Sequence, residues 1–141
     1  MKARTACYWL TTIPIALETF VGGIMDLTHG RTAVFAGPSV ATVVTSLGYP
    51  LYVLTIIGIL KIPGAITLIV PGVPKLKEWA YAGIAFELAG AIASNALDGH
   101  TADLAAPTVL LGLAVASWAL RPPSRVLCPS RLPVTSAQSS S

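Results

Sequence analysis

Three ionisable residues stand inside long apolar runs of this chain: Glu18, Lys61 and Glu87. A charge at the centre of a bilayer costs roughly 3 kcal/mol on the mildest scale. Groups placed there are expected to pair with one another or to take part in chemistry. Depth counting puts all three at one level. Ten residues separate Tyr8 from Glu18, Lys61 from Pro71 and Lys77 from Glu87, and Tyr8, Pro71 and Lys77 all mark the same membrane face. Ten helical residues rise ~15 Å, half of a ~30 Å hydrocarbon core. Lys61 and Glu87 are also equidistant from Pro74, in the short connection between their segments. An antiparallel hairpin therefore brings these two side chains together.

Two kinds of use follow. A buried Lys61–Glu87 ion pair holds the hairpin in register, because removing either partner strands the other charge. With Glu18 added, two carboxylates surround one ammonium. All three are not easily charged together in a low dielectric, so one carboxylate is expected to hold a proton. A protonatable glutamate inside a membrane is what a quinone site or a proton-coupled carrier requires. Glu18, Lys61 and Glu87 are thus the candidate intramembrane polar cluster, the glutamates as acid or base and Lys61 as counter-ion.

Other residue types offer less. His29 and His100 have Asp26, Asp98 and Asp103 near them in sequence, but at no metal-ligand spacing. They read as solvated loop polarity, and no metal site is expected. Cys7 and Cys128 form no C-x-x-C, and both fall on the cytoplasmic side of the topology below, where reducing conditions disfavour a disulfide. The chain has no glycine-rich phosphate loop, no haem-attachment motif and no defensible Ser-His-Asp set. No catalytic residue is assigned and no covalently bound cofactor is expected.

The elements that must position the cluster are membrane helices. Hydrophobic residues make up 54% of the 141 residues and charged residues 11%, with a mean hydropathy of +0.73. Soluble domains carry about 25% charged residues, so this chain lacks the charge for a water-facing surface. A net charge of +3, scattered in short clusters, gives no reason to expect a nucleic-acid partner. Four apolar runs, at 8–25, 51–70, 78–97 and 105–120, predict an all-α four-helix transmembrane bundle over 8–121. Spans need about 20 residues, which makes the fourth slightly short; Pro107 suits its first turn. Residues 1–7 are expected to be a cytoplasmic N-terminus. Glu18 interrupts the first run and no A-x-A site follows, so that run reads as a retained helix rather than a cleaved signal. The Pro- and Ser-rich stretch 122–141 has too little apolar content to order itself and is expected to be a disordered cytoplasmic tail.

Charge asymmetry sets the orientation. Lys2, Arg4, Lys75, Lys77, Arg121, Arg125 and Arg131 fall on one side, and Arg31 alone on the other. The positive-inside rule then places both termini in the cytoplasm. Trp9, Trp79 and Trp118 fall at that same interface, where indole rings are favoured. In the long first outer loop, 26–50, the stretch Val40 to Leu47 predicts a short helix, broken from the second span at Gly48-Tyr49-Pro50. Small residues at helical spacing flank the cluster. They are Ala80, Gly83, Ala91 and Ser94 around Glu87, Gly22 below Glu18 with Asp26 one turn further, and Gly58 and Ala65 around Lys61. Such residues let helices approach closely in lipid. Pro63 frees the carbonyl of Ile59 beside Lys61.

Much of this chain resembles the DoxX-like family of small bacterial membrane proteins. The resemblance lies in Leu47-Gly48-Tyr49-Pro50-Leu51-Tyr52, Gly58, Lys61, Gly64 and Pro71-Gly72. It continues through Lys77-Glu78-Trp79-Ala80-Tyr81-Ala82-Gly83, Phe86-Glu87-Leu88, Gly90-Ala91 and the end from Ser117 to Arg125. It covers about Tyr8 to Arg125. It implies a multi-pass four-helix bundle in the bacterial plasma membrane, and an accessory role in a quinone-linked membrane oxidoreductase system. A quinone is then the expected non-covalent cofactor, and the expected partners are the lipid bilayer, a redox-enzyme subunit and a further copy of the chain. Many relatives have Ser-His where this chain has Ser94-Asn95, so no family catalytic residue carries over. The other expectations are a small proton-coupled transporter, which Lys61 disfavours for cationic cargo, and a structural membrane protein without substrate.

Overall fold

The computed structural model describes residues 2–30, 40–99 and 101–122, and within these the chain is all helical. The helices are α1 (Lys2–Leu27), α2 (Val40–Ser46), α3 (Tyr52–Ile69), α4 (Pro74–Leu97) and α5 (Ala105–Ala119), with a 3₁₀ turn at Thr101–Leu104 leading into α5. α1, α3 and α4 are each long and apolar enough to cross a membrane; α5, with 15 residues, is shorter. The expected tail beyond Pro122, the stretch 31–39 and His100 lie outside the described residues.

The four longer helices form a ring. α1 packs against α3 and α5, and α4 packs against the same two. Side-chain bonds fix their directions. At one end Arg4 reaches the Ala119 carbonyl, Trp118 reaches Glu78, and Lys77 reaches the end of α3. At the other end His29 meets Thr55, and Tyr49 meets Ser94. The helices therefore run alternately up and down. Arg4, Lys75, Lys77 and Arg121 gather at the first end.

The patterning is that of a protein whose solvent is lipid. α1 turns Tyr8, Thr12, Thr19, Gly23 and Asp26 inward and leaves Leu10, Ile13, Leu17, Phe20 and Ile24 outside. On α4, Phe86 is 78% and Leu97 90% exposed. An apolar surface this extensive has no place in water. The inward hydroxyls are satisfied within their own helices, Thr12 by the Tyr8 carbonyl and Thr19 by that of Ile15, as a bilayer interior demands. The middle of the bundle is dry, built from Ile15, Ala16, Leu68, Tyr81, Ile84, Leu88 and Ala114.

Local sequence explains the joints. Gly72 takes φ +82 in the turn between α3 and α4, a conformation open to glycine. Pro74 then starts α4, where its missing N–H costs nothing. The closest helix contact is the α1–α3 crossing. A Cβ on Gly58 would lie 2.8 Å from the Gly23 carbonyl oxygen, and one on Gly23 2.9 Å from Lys61 Cβ. Only glycines admit that approach. The small face expected around Glu87 behaves differently: Gly83 has open space where a Cβ would stand. Close packing is concentrated between α1 and α3 instead, and the small residues of α4 leave a groove.

α1 also runs beyond its predicted bounds at both ends. Asp26, expected at the start of the outer loop, belongs to its last turn. The short helix Val40–Ser46 is separate from α3, with Gly48 at φ +81 between them.

Candidate functional site

Lys61 is the hub of the central polar group. Its ammonium lies 2.7 Å from Glu87 Oε1 and 3.0 Å from Asp26 Oδ2. α3 supplies the lysine, α4 one carboxylate and α1 the other, so three helices meet at one charge. The Gly23–Gly58 crossing makes this reach short, because it sets the Lys61 backbone directly against α1. Asp26 is the most enclosed member, its side chain 4% exposed, while Glu87 is 29% exposed.

The structure thus brings Lys61 and Glu87 together, as the hairpin arithmetic predicts. Glu18 stands next to them without touching. Lys61 Nζ and Glu18 Oε1 lie 3.3 and 3.4 Å from the point a Cβ on Gly22 would occupy. Gly22 therefore leaves a shared space between ammonium and carboxylate, although the two do not form an ion pair. The expected common depth is corrected by about one turn: Lys61 faces Gly22 and Gly23 rather than Glu18. Asp26 is the partner that sequence reasoning missed. Its signal was present in the i+4 ladder Glu18, Gly22, Asp26, but the apolar run ends at Met25 and hid the continuing helix.

Hydrogen-bond capacity is unbalanced here. Lys61 offers three N–H groups, and two carboxylate oxygens engage it. The second oxygen of Glu87 and both oxygens of Glu18 have no hydrogen-bond or ion-pair partner among the described residues. Three carboxyl groups face one ammonium, so the centre holds more acceptors than donors.

A groove of about 500 Å³ runs along α3 and α4 to this centre. Leu60, Pro63 and Gly64 form one wall, and Trp79, Gly83 and Ile84 the other; Lys61 and Glu87 contribute the polar end. Glu87 to Leu76, the extent of its α4 wall, is eleven residues, or ~16 Å along a helix. Its volume falls within the range of small-molecule sites, ~300–1,000 Å³.

A second polar group lies at the basic end and is built differently. Arg121, 4% exposed, lies 2.8 Å from Glu78 Oε1 and donates through Nε to the Trp118 carbonyl. The guanidinium also stacks 5.2 Å above Tyr81 and 5.3 Å from Trp118. Trp118 donates to the other oxygen of Glu78 at 2.9 Å. Deeper in, the Ser117 hydroxyl bonds Tyr81 at 2.7 Å and Thr12 at 2.6 Å. Beside this group Lys77 is fully buried and donates to the Thr67 and Leu68 carbonyls at 2.6 and 2.5 Å. It caps the last turn of α3, where a cation meets the negative end of the helix dipole. Counting Lys77 as an interfacial loop charge does not reveal that role.

Among the described residues, those considered for a metal form no cluster of three or more ligand groups. Asp26 is committed to Lys61, and His29 Nε2 lies 3.0 Å from Thr55 Oγ1. His100 and the side chain of Asp103 lie outside the described residues.

No curated protein and no solved structure matches the chain. The model of the DoxX-like family matches residues 10–117, well over half of the sequence and all four long helices, and the chain belongs to that family.

Proposed function

We propose that this protein is an accessory subunit of a quinone-linked membrane oxidoreductase system, holding a lipophilic quinone in the α3–α4 groove. The carrying observation is the groove itself, an apolar channel that ends on Lys61 and Glu87. Its chemistry fits such a ligand. The apolar walls accept an isoprenoid chain, and the polar end meets the oxygens of a ring. A quinone supplies two-electron, two-proton redox chemistry when bound, and the electrons come from a redox-active partner subunit.

The chain's own residues have distinct tasks in this reading. Glu87 faces the ligand and exchanges a hydrogen bond with its oxygen. Glu18, unpaired behind Gly22, takes up or gives the proton that the ion-paired carboxylates do not. Lys61 keeps the negative charge compensated, and Asp26 anchors Lys61 to α1. The protein would lie in the bacterial plasma membrane as four spans with both termini cytoplasmic. The basic end formed by Arg4, Lys75, Lys77 and Arg121 supports that orientation.

Photolabelling in nanodiscs tests the assignment. A photoreactive quinone should label α3 and α4 on the groove walls, and excess unlabelled quinone should suppress the label. Labelling that excess quinone does not suppress would remove the site. Affinity purification from native membranes should also recover a redox-active subunit; recovery of the chain alone would remove the accessory role. Cys7 is exposed near the basic end. In a Cys128→Ser background it should resist an impermeant maleimide in intact cells and react once they are opened.

A further inference from the structure

We infer that the α3–α4 groove selects lipophiles that present a hydroxyl donor, so that it holds the quinol form more tightly than the quinone. This rests on the reading of the groove as a quinone site and adds which redox form it favours. The argument is one of donors and acceptors. An ionised carboxylate only accepts hydrogen bonds, and an ammonium only donates them. Lys61 also lines the groove, but it is held by Asp26 and Glu87 at 3.0 and 2.7 Å and is only 13% exposed, against 29% for Glu87. Glu87 is the more exposed of the pair and lines the groove. Its Oε1 engages Lys61, and its other oxygen has no partner among the described residues. A ring hydroxyl can donate to that oxygen. A ring carbonyl brings a second acceptor to it and gains nothing.

The rest of the lining does not reverse this preference. Thr19 and Thr67 already spend their hydroxyl protons on the Ile15 and Pro63 carbonyls, at 2.7 Å each. Trp79 stands far along the groove from Glu87, two turns away on α4. Lys61 keeps one N–H, and Glu18 lies on its other side as a further acceptor. Selection therefore depends on Glu87, and holding the reduced form more tightly makes the bound quinone easier to reduce.

The test uses the full-length protein in nanodiscs under anaerobic conditions. Retention of decylubiquinol, decylubiquinone and the dimethyl ether of the quinol is measured against empty nanodiscs. The quinol should be retained about tenfold better than either other form, the value of one hydrogen bond to a charged acceptor. Glu87→Gln, whose amide both donates and accepts, should bring the ratio of quinol to quinone close to one. Equal retention of quinol and quinone by the wild-type protein would overturn the inference and leave the quinone site standing. Retention of none of the three above empty nanodiscs would overturn both. A preference that persists in Glu87→Gln would also overturn it, because the selecting group would be another.

Discussion

The two polar groups of this bundle answer the same problem in opposite ways. At the basic end, Arg121, Glu78, Trp118, Tyr81, Ser117 and Thr12 form a chain in which each charge and hydroxyl has its complement. Around Lys61, three carboxyl groups share one ammonium, Glu18 is left aside, and a groove reaches the ion pair. Ile15, Leu68 and Ile84 of the apolar core fall between the two groups along their helices. The Arg121 group ties its members to one another and gives the bundle its register, and the hollow beside it, about 230 Å³, is less than half the volume of the groove. The Lys61 centre has more carboxylate acceptors than its one ammonium can engage and stands beside the larger groove, which gives it capacity for a ligand. On this ground we propose that function lies with the Lys61 centre and structure with the Arg121 group.

The largest expected effect comes from removing the hub. Lys61→Met leaves Asp26 and Glu87 without their cation and should destabilise the bundle by about 3–5 kcal/mol, read from unfolding in mixed micelles. Adding Asp26→Asn and Glu87→Leu should recover most of that loss while ligand retention stays absent. Recovery of stability together with ligand would place the site elsewhere.

Arg121→Met should cost about 1–3 kcal/mol, because Glu78 is one-third exposed and can regain water. Quinone labelling of the groove should persist. Ser117→Ala removes the hydroxyl shared by Tyr81 and Thr12, and should cost about 1–2 kcal/mol, again with labelling intact. Loss of labelling in either variant without unfolding would erase the distinction between the two groups. Glu18→Gln should change stability least, within about 0.5 kcal/mol, since no ion pair is lost. It should slow quinone-linked turnover in the assembled complex, and unchanged turnover would remove Glu18 from the proton path.

The sequence makes some of this contrast visible and hides the rest for a physical reason. Lys61 and Glu87 could be paired from sequence because a short turn fixes the register of α3 against α4. Nothing comparable links α1 to α3, whose connection passes through a long segment. Their register depends on the fit of Gly23 against Gly58, which counting residues from the membrane face does not capture. Residue counting therefore sets Glu18 level with Lys61 and Asp26 in a loop, whereas the glycine fit sets Gly23 against Lys61. Lys77 shows the same limit. Its charge marks the basic end correctly, but its burial against the α3 carbonyls depends on how the turn at Gly72 folds back. The alternation of helices and the apolar exterior were legible because lipid imposes them on composition.

Gly83 offers the most direct test of the central claim. It lines the groove, yet a Cβ there meets nothing within 4 Å. Gly83→Leu should fill the channel without straining the bundle, and replacing a helix glycine should itself favour the fold by a few tenths to about 1 kcal/mol. The measurement is photoreactive-quinone labelling of this variant beside wild type, with unfolding of both recorded in parallel. The account predicts that labelling of α3 and α4 is lost while the unfolding midpoint is unchanged or raised. Wild-type labelling in a folded Gly83→Leu protein would contradict it.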